Sequence, residues 1–201
     1  RLRRFGFLFL EVLMQFTRTL CLGILAVAVA APSFAQTNPA TAAAKAQFGM
    51  ISTVLARTAE KVPENLYAFK ATPEVRSIGQ LLGHIADSQF GMCATAAGEK
   101  PPQSGIEKTK TSKADLTKAI IDSNAYCNQV IDAMNDQKGM EVIKFFTGPS
   151  PRLAVLGFNV AHSYEHYGNP VTYLRPNQIV PPSREGQYHP PNGPLSPSPA
   201  P

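Results

Sequence analysis

Two of the four histidines in the chain sit in the run His162-Ser163-Tyr164-Glu165-His166. On a helix, a spacing of four residues places two imidazoles about 40° apart and one turn apart. That geometry lets one helix offer two nitrogen ligands to one metal ion. The run lacks the glutamate that follows the first histidine in zinc proteases, because Ser163 stands there. A pair at this spacing is by itself weak evidence, since exposed or core-filling histidines recur at the same interval. A third ligand has to come from another helix, and His84 in Leu81-Leu82-Gly83-His84-Ile85-Ala86-Asp87 is the candidate. Three histidines leave an open coordination position for water or substrate. Imidazole nitrogens suit zinc or nickel, whereas calcium and magnesium want oxygen. His189 lies in a proline-rich stretch and is not expected to join the set.

Four predicted helices must position these residues. The first covers Thr41 to about Lys61, with Phe48, Ile51, Val54 and Leu55 at helical spacing. The second opens with a capping box, Ser77-Ile78-Gly79-Gln80, and stops at Gly98. His84 flanks its apolar stripe of Ile78, Leu81, Leu82 and Ile85. Ser112-Lys113-Ala114-Asp115 starts the third, which runs to about Met134, and Gly98 to Thr111 reads as a polar loop. Ser150-Pro151 is expected to open the fourth, with proline at its first helical position. On that helix Leu156, Val160, Tyr167 and Leu174 form one side. His162 and His166 share the other with Val155, Phe158, Asn159 and Tyr173. A helix with a second, mixed face lines something. Pro170 removes the backbone bond to the His166 carbonyl. No β-hairpin signal is evident, so the expected fold class is all-α, a four-helix bundle.

The order of these histidines and their surroundings resembles the DinB-like superfamily of metal-binding four-helix bundles. Thr72-Pro73-Glu74-Val75-Arg76-Ser77-Ile78-Gly79-Gln80-Leu81-Leu82-Gly83-His84-Ile85-Ala86-Asp87 and Ala161-His162-Ser163-Tyr164-Glu165-His166-Tyr167-Gly168-Asn169 carry the likeness. The resemblance implies an up-down bundle over residues 42–182, in which His84, His162 and His166 bind a divalent metal, zinc or nickel. It also implies a metal-dependent hydrolase or thiol S-transferase, the latter using a low-molecular-weight thiol as cofactor. Tyr167-Gly168-Asn169 departs from the Arg-Gly-Gln run of many members and weighs against the thiol. Glu165 is the candidate catalytic base, with Asp87 as the other acid considered. Tyr164, Tyr167 and Tyr173 could donate to an oxyanion or simply pack. The alternative function is a non-catalytic metal- or ligand-binding bundle of the cell envelope.

The chain has 201 residues, a net charge of +5 and a pI near 9.2. Four of its 19 basic residues and one of its 14 acids precede residue 36, leaving 15 against 13 beyond it. No basic run remains to bind phosphates, so nucleic acid is not an expected partner. The partner expected is a small-molecule substrate, with a homodimer left open. Arg18, the apolar run Leu20 to Ala31 and Ser33-Phe34-Ala35 follow the order of a secretory signal. The expectation is a start at Met14, with residues 1–13 an upstream extension, cleavage after Ala35 and a periplasmic or secreted protein. Twelve apolar residues rise about 18 Å as a helix, short of a roughly 30 Å hydrocarbon core, so no permanent anchor is expected. Cys93 and Cys127 either pair in that compartment or sit as two small buried residues on different helices. Nine prolines among residues 176–201 read as an unpacked tail, placed at 183–201 in the domain division.

Overall fold

Side-chain caps set where two of the four long helices begin in the computed structural model, which describes residues 37–185. Helix α1 is Pro39–Lys61, with proline in its first turn and Asn38 at its cap. Its orphan amides are capped from a distance. The Asp136 carboxylate accepts from the N–H groups of Ala40 and Thr41 at 3.1 and 2.8 Å, and from the Thr41 hydroxyl. Helix α2, Ile78–Ala97, has the full capping box of Ser77 and Gln80, and Gly98 ends it at φ 83°. Helix α3, Lys113–Asp132, is capped by the Ser112 side chain. Helix α4, Arg152–Leu174, runs on through Pro170.

Three short elements differ from the sequence expectation. The supposed polar loop contains a turn of helix at Ile106–Thr109, and Asp136–Gly139 is another. Strands β1, Val142–Phe145, and β2, Gly148–Pro151, form an antiparallel hairpin pairing Val142 with Pro151 and Phe145 with Gly148. Ser150 and Pro151 therefore finish a strand, and α4 begins one residue later. This hairpin has no glycine or asparagine where its turn needs one. Phe146 takes the left-handed position at φ 48°, and β2 reads Gly-Pro-Ser-Pro, which looks like a breaker.

Helices α3 and α4 each pack against both α1 and α2. Of the consecutive pairs only α2 and α3 lie side by side, whereas α1–α2 and α3–α4 take diagonal places around the core, unlike a simple up-down order. The connection 62–77 crosses one end, with Tyr67 buried and its hydroxyl donating to the Ala59 carbonyl at 2.6 Å. Phe48, Ile51, Leu55, Leu82, Ile85, Leu116, Ile120 and Leu156 fill the centre. Cys93 of α2 and Cys127 of α3 form a disulfide with Cα atoms 5.4 Å apart. The proline-rich stretch begins packed. Pro181 and Pro182 are buried, the Tyr167 hydroxyl donates to Ser183 Oγ at 3.0 Å, and Arg57 and Lys61 both pair with Glu185. Packing thus extends past the expected boundary at residue 183, because α1 and α4 leave a seat for this turn. The expected signal segment and cleavage point, and residues 186–201, lie outside the described residues. Among the described residues, no helix is long and apolar enough to cross a membrane.

Candidate metal centre

The capping box of α2 places His84 seven residues, two turns, into the helix. The neighbouring Gly83 then decides what can approach it. A Cβ on Gly83 would stand 2.7 Å from Glu107 Cα and 3.0 Å from Glu107 N. Only a glycine lets the turn Ile106–Thr109 lie this close. Asp87 latches that turn, its two carboxylate oxygens accepting from the N–H groups of Ile106 and Glu107 at 2.9 Å each. The latched turn delivers Glu107, whose Oε2 lies 3.0 Å from His84 Nδ1. Its Oε1 accepts from Arg76 Nε at 2.8 Å.

Burial raises the Glu107 pKa, but Arg76 and then His84 outweigh it and hold the carboxyl below its usual range. An ionised Glu107 keeps the His84 proton on Nδ1 and leaves Nε2 as a lone-pair donor. From α4, His162 and His166 bring their Nε2 atoms to 3.1 Å of each other. The His84 ring centre lies 5.2 Å from that of His162 and 4.5 Å from that of His166. One ligand nitrogen from each of the three lies within 4.8 Å of the others. Nitrogens sharing a tetrahedral ion at about 2.1 Å stand roughly 3.4 Å apart, a small side-chain adjustment from this spacing. Burial, then the His166 and His84 rings, push the His162 pKa down to about 4. Burial and His84 also lower that of His166. Neutral rings are the ligand form. The Nδ1 atoms of His162 and His166, across each ring from the converging Nε2 pair, are buried with no hydrogen-bond partner among the described residues.

The structure thus brings together the three histidines singled out in the sequence. Glu165 is exposed and its side chain makes no hydrogen bond among the described residues, although its charge is felt by both α4 histidines. Asp87 is committed to the turn and serves as a latch. Tyr167 and Tyr173 are buried and pack, whereas Tyr164 is exposed. Glu107 and Arg76 were missed as site residues. The signal that could have found Glu107 is Gly83 beside a candidate ligand, with Gly105 as a helix start upstream.

The family model described as the DinB superfamily matches residues 48–169, more than half of the chain and all three histidines. The chain belongs to the DinB superfamily. Two solved structures share the fold of this DinB-superfamily chain. A DinB-like protein from Bacillus subtilis is 18% identical with a TM-score of 0.57, covering 68% of this chain and 92% of that one. A DinB-like protein from Bacillus cereus is 14% identical with a TM-score of 0.58, covering 65% and 88%. A comparison with curated proteins finds no match.

Proposed function

We propose that this DinB-superfamily chain is an exported four-helix metalloprotein, with His84, His162 and His166 holding one zinc or nickel ion. The convergence of three ligand nitrogens within 4.8 Å, on residues drawn from two helices, carries the reading. The donor set fits such an ion: three imidazoles, depressed pKa values on His162 and His166, and a carboxylate behind His84. When bound, an ion of this kind supplies Lewis-acid activation of water or a thiol. Glu107 orients His84 and is already paired on both oxygens. Glu165 is then the nearby carboxylate free to accept a proton at an Oε atom during hydrolysis. The Cys93–Cys127 disulfide supports an oxidising compartment, where low-molecular-weight thiols are scarce, and so favours hydrolysis over thiol transfer.

Metal analysis of the purified protein tests this directly. One zinc or nickel per chain is expected, and His162→Ala should reduce it to near zero while the helical circular dichroism stays unchanged. Glu165→Gln should keep the metal and lower hydrolysis of 4-nitrophenyl acetate about a hundred-fold, as removal of a general base does. Absence of metal after exposure to both ions would sink the metal reading. Full metal with no hydrolysis would leave a non-catalytic binding protein.

A further inference from the structure

Beside the histidines opens a cleft of about 640 Å³ between α2, α4 and the β-hairpin. His84 and His162 form one end of its lining. Its apolar wall is aromatic. Phe145 and Phe146 of the hairpin lie with ring centres 4.2 Å apart, and both reach Phe158 of α4, at 5.5 and 5.7 Å. Phe158 in turn faces the His162 ring at 6.3 Å. Two features of this wall run against ordinary stability. Phe146 is 68% exposed and sits in left-handed backbone at φ 48°, where a bulky residue is rare and strained. Gly91 lies inside α2, where glycine is unfavourable, yet a Cβ there would meet nothing within 4 Å. Packing explains neither. Both keep a space: one holds an aromatic ring over it, and the other leaves its floor bare.

The charge of the cleft is equally one-sided. Lys144 lines it, no acidic residue does, and Lys144 has no ion-pair partner among the described residues. We propose that this cleft takes a small molecule with a flat apolar body and one anionic group. The rings of Phe145, Phe146 and Phe158 face its body, Lys144 faces its anion, and its remaining end points at His84 and His162. The proposal deepens the metal reading by naming a substrate class, and it rests on that reading only for the role of the histidine end.

The probes are 1-anilinonaphthalene-8-sulfonate and its uncharged analogue N-phenyl-1-naphthylamine, titrated by fluorescence into the folded, zinc-exposed chain. The sulfonate should bind about three- to five-fold tighter than the neutral probe, as expected of an exposed charge pair, and Lys144→Gln should erase that difference. Gly91→Leu should fill the floor and weaken both probes ten-fold or more. Phe146→Gly should weaken both about ten-fold while leaving the melting temperature unchanged or higher, because it relieves the backbone strain. Equal affinity for the two probes overturns the anionic assignment. Affinity indifferent to both Gly91→Leu and Phe146→Gly overturns the cleft, even when metal analysis finds stoichiometric zinc. A protein that takes no zinc but shows the full probe pattern ends the metal reading and upholds the cleft.

Discussion

At the scale of the residue, the site depends on keeping imidazoles neutral and correctly protonated. Glu107 does this for His84, so Glu107→Gln should lower zinc affinity roughly ten-fold or more, the usual effect of removing a carboxylate behind a ligand histidine. Competition titration with a zinc chelator measures it, and unchanged affinity would show that Arg76–Glu107 is merely a surface pair. His162 carries a second prediction. Its pKa is about 4 in the fold against 6.5 as an ordinary imidazole, so the unfolded chain binds the proton first as pH falls. Metal-free protein should therefore lose stability from pH 6.5 down to 4, with that loss complete below 4. Urea midpoints across this range check it, and His162→Ala should flatten the slope. The three histidines were legible because the pair at a four-residue spacing, the candidate on a second helix and the family likeness of their surroundings single out the same residues. Glu107 was not, since it lies 23 residues from His84 in a stretch without periodicity.

At the scale of the element, glycines and caps decide what approaches what. Gly83→Ala would press a methyl group onto the Glu107 backbone, and backbone cannot swing away like a side-chain end. Overpacking of this kind costs about 1–3 kcal/mol, against about 1 kcal/mol gained from better helix propensity. The expected result is a modest net loss of stability together with weaker zinc binding, because the turn carrying Glu107 must shift. Gly157→Ala is the contrast: it is exposed in α4 with nothing near its Cβ, and should stabilise by about 0.5–1 kcal/mol. Paired thermal melts and zinc titrations separate the two, and equal behaviour would refute the close-approach argument. Helix starts at Ser77 and Ser112 were legible because a cap is local chemistry, written in adjacent residues. The hairpin was illegible because Phe146 takes a backbone position that its residue type argues against. The neighbours of its ring, Phe145 and Phe158, come together only in the folded chain and leave no mark in the local sequence.

At the scale of the molecule, α1–α2 and α3–α4 stand diagonally and are joined by long connections, whereas α2 and α3 are the consecutive pair that packs directly. The Cys93–Cys127 disulfide joins α2, which carries His84, to α3, across a sequence separation of 34 residues. Sequence could supply the two cysteines but not their distance, which is a property of helix packing. Closing a loop of this length in the unfolded chain is worth roughly 3–4 kcal/mol on the chain-entropy model. For a chain of this size each kcal/mol moves the melting temperature by about 2–4 °C. Replacing both cysteines with alanine should therefore lower the melting temperature by about 6–16 °C. The fold should survive at 25 °C, since the apolar core from Phe48 to Leu174 is otherwise intact. Zinc stoichiometry should also survive, because neither cysteine belongs to the ligand set and α2 packs directly on α4, which brings His84 to His162. Both sulfurs are buried, so added reductant should act slowly on the native protein and quickly once urea opens it. Differential scanning calorimetry of wild type and the double variant, with metal content measured on the same samples, gives the answer. A melting temperature within 2 °C of wild type would show that the cross-link adds nothing to the helix packing already present. Loss of zinc from a still-folded double variant would show that α3 holds α2 in the position the metal centre needs.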